Sequence, residues 1–305
     1  MKSSLLLLST ALIWGLAFVA QAVGMEYVRT FTFNGVRFAL GALSLIPVIL
    51  IFEKGSPNMK KTAIAGVIGG AILFAASSFQ QLGMEFGASA GKAGFITGLY
   101  TIIVPALGIF MGRKVPVLAW VGAGSAAVGM YFLSLSEGPA GVGIGDIALF
   151  VSAFFWAGHI IAIDLFAGSI SPLKFSFIQF TTTSVLSLIA ALIIESPTIP
   201  AILAAKIPIF YGGIFSVGIA YTLQTIGQKG VEPNKAAIIF SLEALFAAIG
   251  GALIINERLG LRGYIGCGFI FAGILLSQLA PSKGKTEKAG EEQALAADEK
   301  AGIKA

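Results

Sequence analysis

The chain of 305 residues is 56% hydrophobic and only 11% charged, which is about half the charged fraction of an ordinary soluble domain. Too little charge remains to cover a soluble surface, so the composition predicts an integral membrane protein. The net charge of +5 comes from isolated basic residues with no basic–aromatic block, which argues against nucleic-acid binding. One cysteine and one histidine exclude a disulfide framework and any thiolate or multi-histidine metal site. The sequence therefore predicts neither a cofactor nor an enzyme.

Ten apolar runs are long enough to be membrane-spanning helices, which need about 20 residues to cross a hydrocarbon core of roughly 30 Å. In chain order they are 4–23, 31–52, 62–84, 91–111, 116–135, 145–166, 172–194, 207–228, 233–255 and 262–280. Short polar stretches such as EKGSPNMKK and GRKVP separate them. The last stretch, 281–305, is charged and has no sizeable apolar face, so we expect a disordered tail.

The first run has two interpretations, because its basic start, apolar middle and AQA ending also suit a cleavable signal peptide. The chain, however, matches itself at an offset of 142–144 residues. STALIWG at 9–15 aligns with VSAFFWA at 151–157, and KAGFITGL at 92–99 aligns with KAAIIFSL at 235–242. A signal peptide would have no counterpart at residue 151, so we keep the first run as a span.

These matches occur in order across five spans and divide the chain into two copies, 1–136 and 145–280. An odd number of spans per copy requires the second copy to lie inverted in the membrane. We therefore predict ten transmembrane helices arranged as two inverted five-helix repeats. Inverted repeats are typical of secondary transporters, whose binding site lies near mid-membrane between the halves. A duplicated bundle that serves as a scaffold or channel is the alternative.

The distribution of lysine and arginine predicts the orientation. With a cytoplasmic N-terminus, fourteen basic residues lie inside and five outside, as the positive-inside rule requires. We expect a multi-pass protein of the cell inner membrane with both termini in the cytoplasm. The sequence leaves a monomer and a homodimer open.

Several short motifs resemble the EamA-type members of the drug/metabolite transporter superfamily. They are ALIWG in span 1, VRFAL in span 2, GLYTIIVPALG in span 4, FFWAGHII in span 6 and FSLEALFAAIGGALIINERLG in span 9. The resemblance covers residues 1 to about 280. It implies ten helices in two inverted repeats that move small metabolites, often outward. Ala244 departs from the pattern, because members of this family usually have proline after the SLE of span 9.

Arg37 is a charged residue inside an apolar run. Such a residue costs on the order of 2.5–3.5 kcal/mol to insert, so it tends to face the interior of the bundle. Small and polar residues recur on one helical face around it: Asn34, Arg37, Gly41 and Ser44. The second copy has a corresponding stripe: Ser176, Gln179 and Thr183. We expect Arg37 to face a polar cavity, and snorkelling to the membrane interface is the alternative.

Glu243 is the acid that lies well inside a predicted span, and the repeat aligns it with Tyr100. An ion pair between Arg37 and Glu243 would join the two halves and explain both charges. Such a pair would be either a structural lock or a functional element, namely a state-dependent gate or a proton-linked site, and both interpretations remain open.

Other polar and aromatic residues complete the predicted site. Trp14 and Trp156 recur at equivalent places and suit either a cavity wall or a lipid interface. His159 suits either the cavity or a hydrogen-bonded core position. The predicted substrate-binding residues are Trp14, Arg37, Gln80, Tyr100, Trp156, His159, Gln179, Tyr221, Gln224 and Glu243.

These features predict a secondary active transporter that exports small polar or amphipathic metabolites. The chain contains no GxxxxGK[ST] loop, so ATP is not expected to drive it directly. An Arg37–Glu243 pair would leave the cavity near neutral, which favours neutral or zwitterionic cargo such as amino acids. The alternatives are a facilitative channel or uniporter for small neutral solutes and, with less support, an intramembrane enzyme.

Overall fold

The computed structural model of the protein describes residues 2–53, 58–88, 90–113, 115–134, 143–166, 170–254 and 260–279. Within these ranges the chain is helical with short connections and contains no strand. The helices are α1 (Lys2–Gly24), α2 (Thr30–Phe52), α3 (Met59–Glu85), α4 (Ala90–Thr97), α5 (Tyr100–Phe110), α6 (Val117–Ser134), α7 (Ile144–Phe166), α8 (Pro172–Ile194), α9 (Ile199–Ala204), α10 (Lys206–Phe210), α11 (Thr222–Gln228), α12 (Pro233–Phe240), α13 (Leu242–Ile254) and α14 (Leu261–Leu279). A π-helical segment, Tyr211–Tyr221, joins α10 to α11.

Seven stretches of the described chain are long and apolar enough to cross a membrane. They are Lys2–Gly24, Thr30–Phe52, Met59–Glu85, Ala93–Phe110, Ile144–Phe166, Pro172–Ile194 and Lys206–Gln228. Val117–Gly129 is a shorter apolar helix. The prediction of an all-helical, multi-pass membrane protein is thus confirmed, whereas the count of ten spans stays a prediction. The predicted tail, 281–305, lies outside the described residues.

Helices α2 and α8 pack together, and at each end a glutamate that follows one helix accepts hydrogen bonds from the start of the other. Glu195, which follows α8, accepts 2.7 Å hydrogen bonds from the backbone amides of Phe31 and Thr32 in the first turn of α2. Glu53, which follows α2, accepts a hydrogen bond from the hydroxyl of Ser171 at the start of α8. Each carboxylate thus lies at the N-terminus of the opposite helix, where the helix dipole favours negative charge. The two helices therefore run antiparallel.

Helices α6 and α14 approach each other through glycines. A Cβ added to Gly129 would lie 2.5 Å from the carbonyl oxygen of Gly266. A Cβ added to Gly273 would lie 2.6 Å from the carbonyl oxygen of Gly122. Side chains at these positions would push the backbones apart, so this contact depends on glycine, as in many close contacts between membrane helices.

The fourth and ninth predicted spans are each interrupted near the middle. Two residues separate α4 from α5, and Ser241 alone separates α12 from α13. The amide of Ala244 bonds to the carbonyl of Ser241 at 3.2 Å, so the second break is a tight turn that needs no proline. Tyr100 and Glu243 follow directly after these breaks. Interrupted helices of this kind line the central sites of many transporters.

Candidate functional site

A small cavity lies where α1, α2, α3, α7 and the π-helical segment meet the two interrupted spans. Its volume is about 30 Å³, which is room for about two water molecules. Eight of the ten predicted site residues line it: Trp14, Arg37, Gln80, Tyr100, Trp156, Tyr221, Gln224 and Glu243. The structure is therefore contracted around the residues that the sequence singles out.

Aromatic rings form one wall of this cavity. The ring of Trp14 lies 4.6 Å from that of Tyr221 and 5.4 Å from that of Phe240, centroid to centroid. The ring of Trp156 stacks on Tyr221 at 6.0 Å with an interplanar angle of 10°. Both tryptophans are at most 9% exposed, so they lie inside the protein and not at a lipid interface.

The indole nitrogens hold these two rings in place. Nε1 of Trp156 donates a 2.8 Å hydrogen bond to Oε1 of Gln80. Nε1 of Trp14 donates a 3.3 Å hydrogen bond to the carbonyl of Ser216 in the π-helical segment. Because the polar edges are satisfied within the protein, the ring faces are left to form an apolar surface.

Arg37 is buried, with 3% of its surface exposed. Its guanidinium carbon lies 5.2 Å from the ring centroid of Phe33 and 5.1 Å from that of Phe38, distances that suit cation–π contacts. Its Nε has no hydrogen-bond partner among the residues that the structure describes. Burial and its place in the cavity lining put Arg37 inside the bundle, where the polar stripe predicts it, and not at the membrane interface.

Glu243 lines the same cavity but has a different partner from the predicted one. Its Oε1 accepts a 2.8 Å hydrogen bond from the hydroxyl of Tyr100. Among the residues that the structure describes, no ion pair links Arg37 to a carboxylate. The salt bridges within that part of the chain are Arg29–Glu85 and Arg113–Asp164, both 2.8 Å and both at helix ends. The Arg37–Glu243 pair is therefore not formed in this conformation and stays a prediction for another one.

His159 and Gln179 lie behind the aromatic wall and do not line the cavity. Nε2 of His159 is 3.0 Å from Oε1 of Gln179, and both residues are fully buried. The histidine ring meets the rings of Trp156 and Tyr221 edge to face, at centroid distances of 6.0 and 6.2 Å. This arrangement corresponds to the hydrogen-bonded core histidine that the sequence leaves open.

Several buried polar atoms of the cavity lining have no hydrogen-bond partner within the described part of the chain. Both amide atoms of Gln224 are unpaired, as are Oε1 of Gln21 and Oγ1 of Thr97. Because buried polar groups are nearly always hydrogen-bonded, such atoms call for an explanation. Together with Nε of Arg37, they give the cavity lining a polar part beside its aromatic rings.

Six further lining residues were missed by the reasoning from sequence: Phe18, Gln21, Thr97, Ile160, Ser216 and Phe240. Helical periodicity signals three of them, because Phe18 and Gln21 follow Trp14 at i+4 and i+7 on one face of α1, and Ile160 follows Trp156 at i+4 in α7. Ser216 has no such signal. It precedes Tyr221 by five residues, and in an α-helix these positions point about 140° apart. The wider π-helical turn brings both residues to the cavity.

Comparison with known proteins identifies relatives along nearly the whole chain. The sequence model of the EamA-like transporter family matches residues 1–135 and 143–279. An uncharacterized transporter of Archaeoglobus fulgidus is 29% identical over 280 residues, which cover 88% of this chain and 83% of that protein. The uncharacterized transporter YoaV of Bacillus subtilis is 22% identical over 294 residues, which cover 93% and 99% of the two chains. A solved crystal structure shares the fold with a TM-score of 0.76 at 18% identity, covering 91% of this chain and 96% of that one.

Proposed function

This chain belongs to the EamA-like transporter family, and from that premise we propose that it is a secondary active transporter that exports small polar or amphipathic metabolites, such as amino acids, by alternating access. Membership makes it a multi-pass membrane transporter and not an enzyme. The observation that carries the proposal is the buried cavity, which combines an aromatic wall with polar atoms that have no hydrogen-bond partner among the described residues. Such a site suits a ligand that has both apolar and polar parts.

The proposed architecture has ten spans in two inverted repeats, 1–136 and 145–280, followed by a cytoplasmic tail at 281–305. Contacts between repeat-aligned residues support it. Trp14 lies 6.2 Å from Trp156 between ring centroids, and Phe38 lies 6.2 Å from Phe180. Residues near a two-fold axis meet their own counterparts in this way.

The glycine contacts between α6 and α14 are also related by the proposed two-fold axis. Gly129 approaches Gly266, and Gly273 approaches Gly122. The repeat aligns Gly122 with Gly266 and Gly129 with Gly273, so a two-fold operation exchanges one contact for the other. This reciprocity supports two halves of the same fold packed face to face.

Alternating access must enlarge the cavity. Its present volume of about 30 Å³ is far below the roughly 300–1,000 Å³ of typical small-molecule sites. Rocking of one half against the other would separate Trp14 and Tyr100 from Tyr221 and Glu243, because the members of each group belong to one half. The present conformation therefore corresponds to a contracted stage of the proposed cycle.

We place the coupling proton on Glu243. It is a buried carboxyl group that lines the cavity and accepts a hydrogen bond from Tyr100 of the other half. A change of partner from the Tyr100 hydroxyl to the Arg37 guanidinium would couple the charge of Glu243 to the transport cycle. A channel or uniporter for small neutral solutes would need no such group.

The test of this function begins with purified protein and a thermal-shift screen over metabolites. Compounds that stabilise the protein are then loaded into proteoliposomes for counterflow measurements. We expect flux that saturates with concentration and is accelerated by the same compound on the opposite side. Flux that rises linearly without counterflow would favour the channel and refute alternating access.

A further inference from the structure

Among the residues that the structure describes, no counter-charge lies against the guanidinium of Arg37 in this conformation. Its guanidinium is covered by the rings of Phe33 and Phe38, and the methylene groups of its side chain pack against Gly212 of the π-helical segment. Within the described part of the chain, no carboxylate reaches it. A buried cation of this kind needs an anion or several hydrogen-bond acceptors.

The acid that the sequence assigns to Arg37 is already engaged. Glu243 accepts the hydroxyl of Tyr100 at 2.8 Å, and no ion pair joins it to Arg37. The expectation of neutral or zwitterionic cargo depends on that pair, because the pair would leave the cavity uncharged. Without it, the cavity offers an arginine that no carboxylate of the described residues reaches, and a carboxyl group that has a protein partner.

The surroundings of Arg37 suit a ligand with an apolar body and an anionic end. The rings of Trp14, Trp156 and Tyr221 provide an apolar surface, in which Trp14 is tilted by 50° against Trp156 and by 57° against Tyr221. The unpaired amide of Gln224 lines the same cavity and can donate a further hydrogen bond. A guanidinium group can bind both oxygens of a carboxylate through two parallel hydrogen bonds.

We propose that Arg37 anchors the carboxylate of the cargo, and that this transporter accepts monocarboxylates with an apolar body whether or not they carry an ammonium group. The proposal rests on the proposed function and narrows its substrate class. It requires no ammonium site on Glu243, which accepts the Tyr100 hydroxyl in the present contracted conformation.

Four probes of similar size test whether the site prefers an anionic, a neutral, a cationic or a zwitterionic ligand. They are 3-phenylpropionate, 3-phenylpropionamide, 3-phenylpropylamine and phenylalanine. Two of the three tryptophans, Trp14 and Trp156, line the cavity, so their fluorescence reports binding in a Trp120→Phe background. We expect 3-phenylpropionate to bind about tenfold or more tightly than the amide or the amine, because it gains a charge-assisted hydrogen bond. Phenylalanine should bind no more tightly than 3-phenylpropionate.

Variants of Arg37 test whether carboxylate binding needs the paired N–H donors of its guanidinium group. Arg37→Gln should remove the preference for the carboxylate and leave the affinity for the amide within about twofold. Arg37→Lys should retain part of the preference, since it keeps the charge without the paired donors. Arg113→Gln is the matched control, because Arg113 pairs with Asp164 at a helix end outside the cavity, and it should keep the full preference.

Equal binding of the four probes, or loss of affinity for all of them in Arg37→Gln, would overturn the inference. Should Arg37→Gln fail to fold, the preference of the unmodified protein and its reduction in Arg37→Lys decide the question.

Flux is measured separately in proteoliposomes. Saturable counterflow without a carboxylate preference would refute the anchor and leave transport standing. Selective binding through Arg37 without flux would refute transport and leave the anchor standing.

Discussion

The hydroxyl of Tyr100 donates a 2.8 Å hydrogen bond to Glu243, 143 residues further along the chain. This separation is the offset at which the two halves of the sequence align. Tyr100 and Glu243 are therefore counterparts that meet across the proposed two-fold axis, each just after the break of its own span. The same position thus carries the donor in one half and the acceptor in the other, which makes the centre of the cavity chemically asymmetric.

Removing the Tyr100 hydroxyl should destabilise the contracted conformation. Tyr100→Phe leaves the buried Glu243 carboxyl without its partner, which costs about 1–3 kcal/mol. We expect a lower midpoint of thermal unfolding in detergent. Tyr131→Phe is the control, because Tyr131 is 52% exposed on the outside of the bundle. An equal effect of the two changes would mean that the Tyr100 hydroxyl contributes nothing specific.

Glu243→Gln separates hydrogen bonding from proton carriage. The amide oxygen of glutamine can still accept the Tyr100 hydroxyl, but the side chain no longer titrates. We expect ligand binding to persist while flux loses its dependence on pH. The measurement is counterflow at several pH values in the parent and the variant. An unchanged pH profile would assign the coupling proton elsewhere.

The pair of Arg37 and Glu243 is tested by a double-mutant cycle in two assays. The residues are not paired in this conformation, so the effects of Arg37→Ala and Glu243→Ala on thermal stability should add to within about 0.5 kcal/mol. The effects on flux should not add, because pairing in another conformation would link the two residues there. Additive effects in both assays would show that the residues do not meet during the cycle.

The contact between α6 and α14 depends on one face of α6. A Cβ at Gly129 would lie 2.5 Å from the backbone of Gly266, whereas a Cβ at Gly124 would meet nothing within 4 Å. Gly129→Ala should therefore lower the unfolding midpoint. Gly124→Ala should leave it unchanged or raise it, since alanine favours a helix by about 1 kcal/mol over glycine. The reverse order would contradict the packing.

The orientation is tested with single cysteines in a background that lacks Cys267. Asn58 precedes α3 and is predicted to be cytoplasmic, whereas Thr198 precedes α9 and is predicted to face out. An impermeant thiol reagent should label Thr198→Cys in intact cells and label Asn58→Cys only after the cells are opened. Labelling of Asn58→Cys from outside would invert the predicted topology.

The amino-acid sequence alone determined the class of the protein and most residues of the cavity. Low charge and long apolar runs specify a membrane protein, because lipid and water sort residues by transfer free energy alone. Polar residues inside apolar runs are costly unless they face the interior. That rule, together with the repeat, leads to Arg37, Glu243 and Gln224 without knowledge of their contacts.

Tertiary structure alone decided which of these residues touch. Periodicity assigns a residue to a face of its own helix, but it does not say which residue of another helix lies opposite. Glu243 therefore meets Tyr100 and not Arg37, and His159 meets Gln179 behind the aromatic wall. Ser216 reaches the cavity because the backbone widens into a π-helix there, a local choice that no α-helical pattern predicts. Which residues touch depends on distances of a few ångströms between segments that are far apart in the sequence. Those distances are set by the packing of the whole bundle.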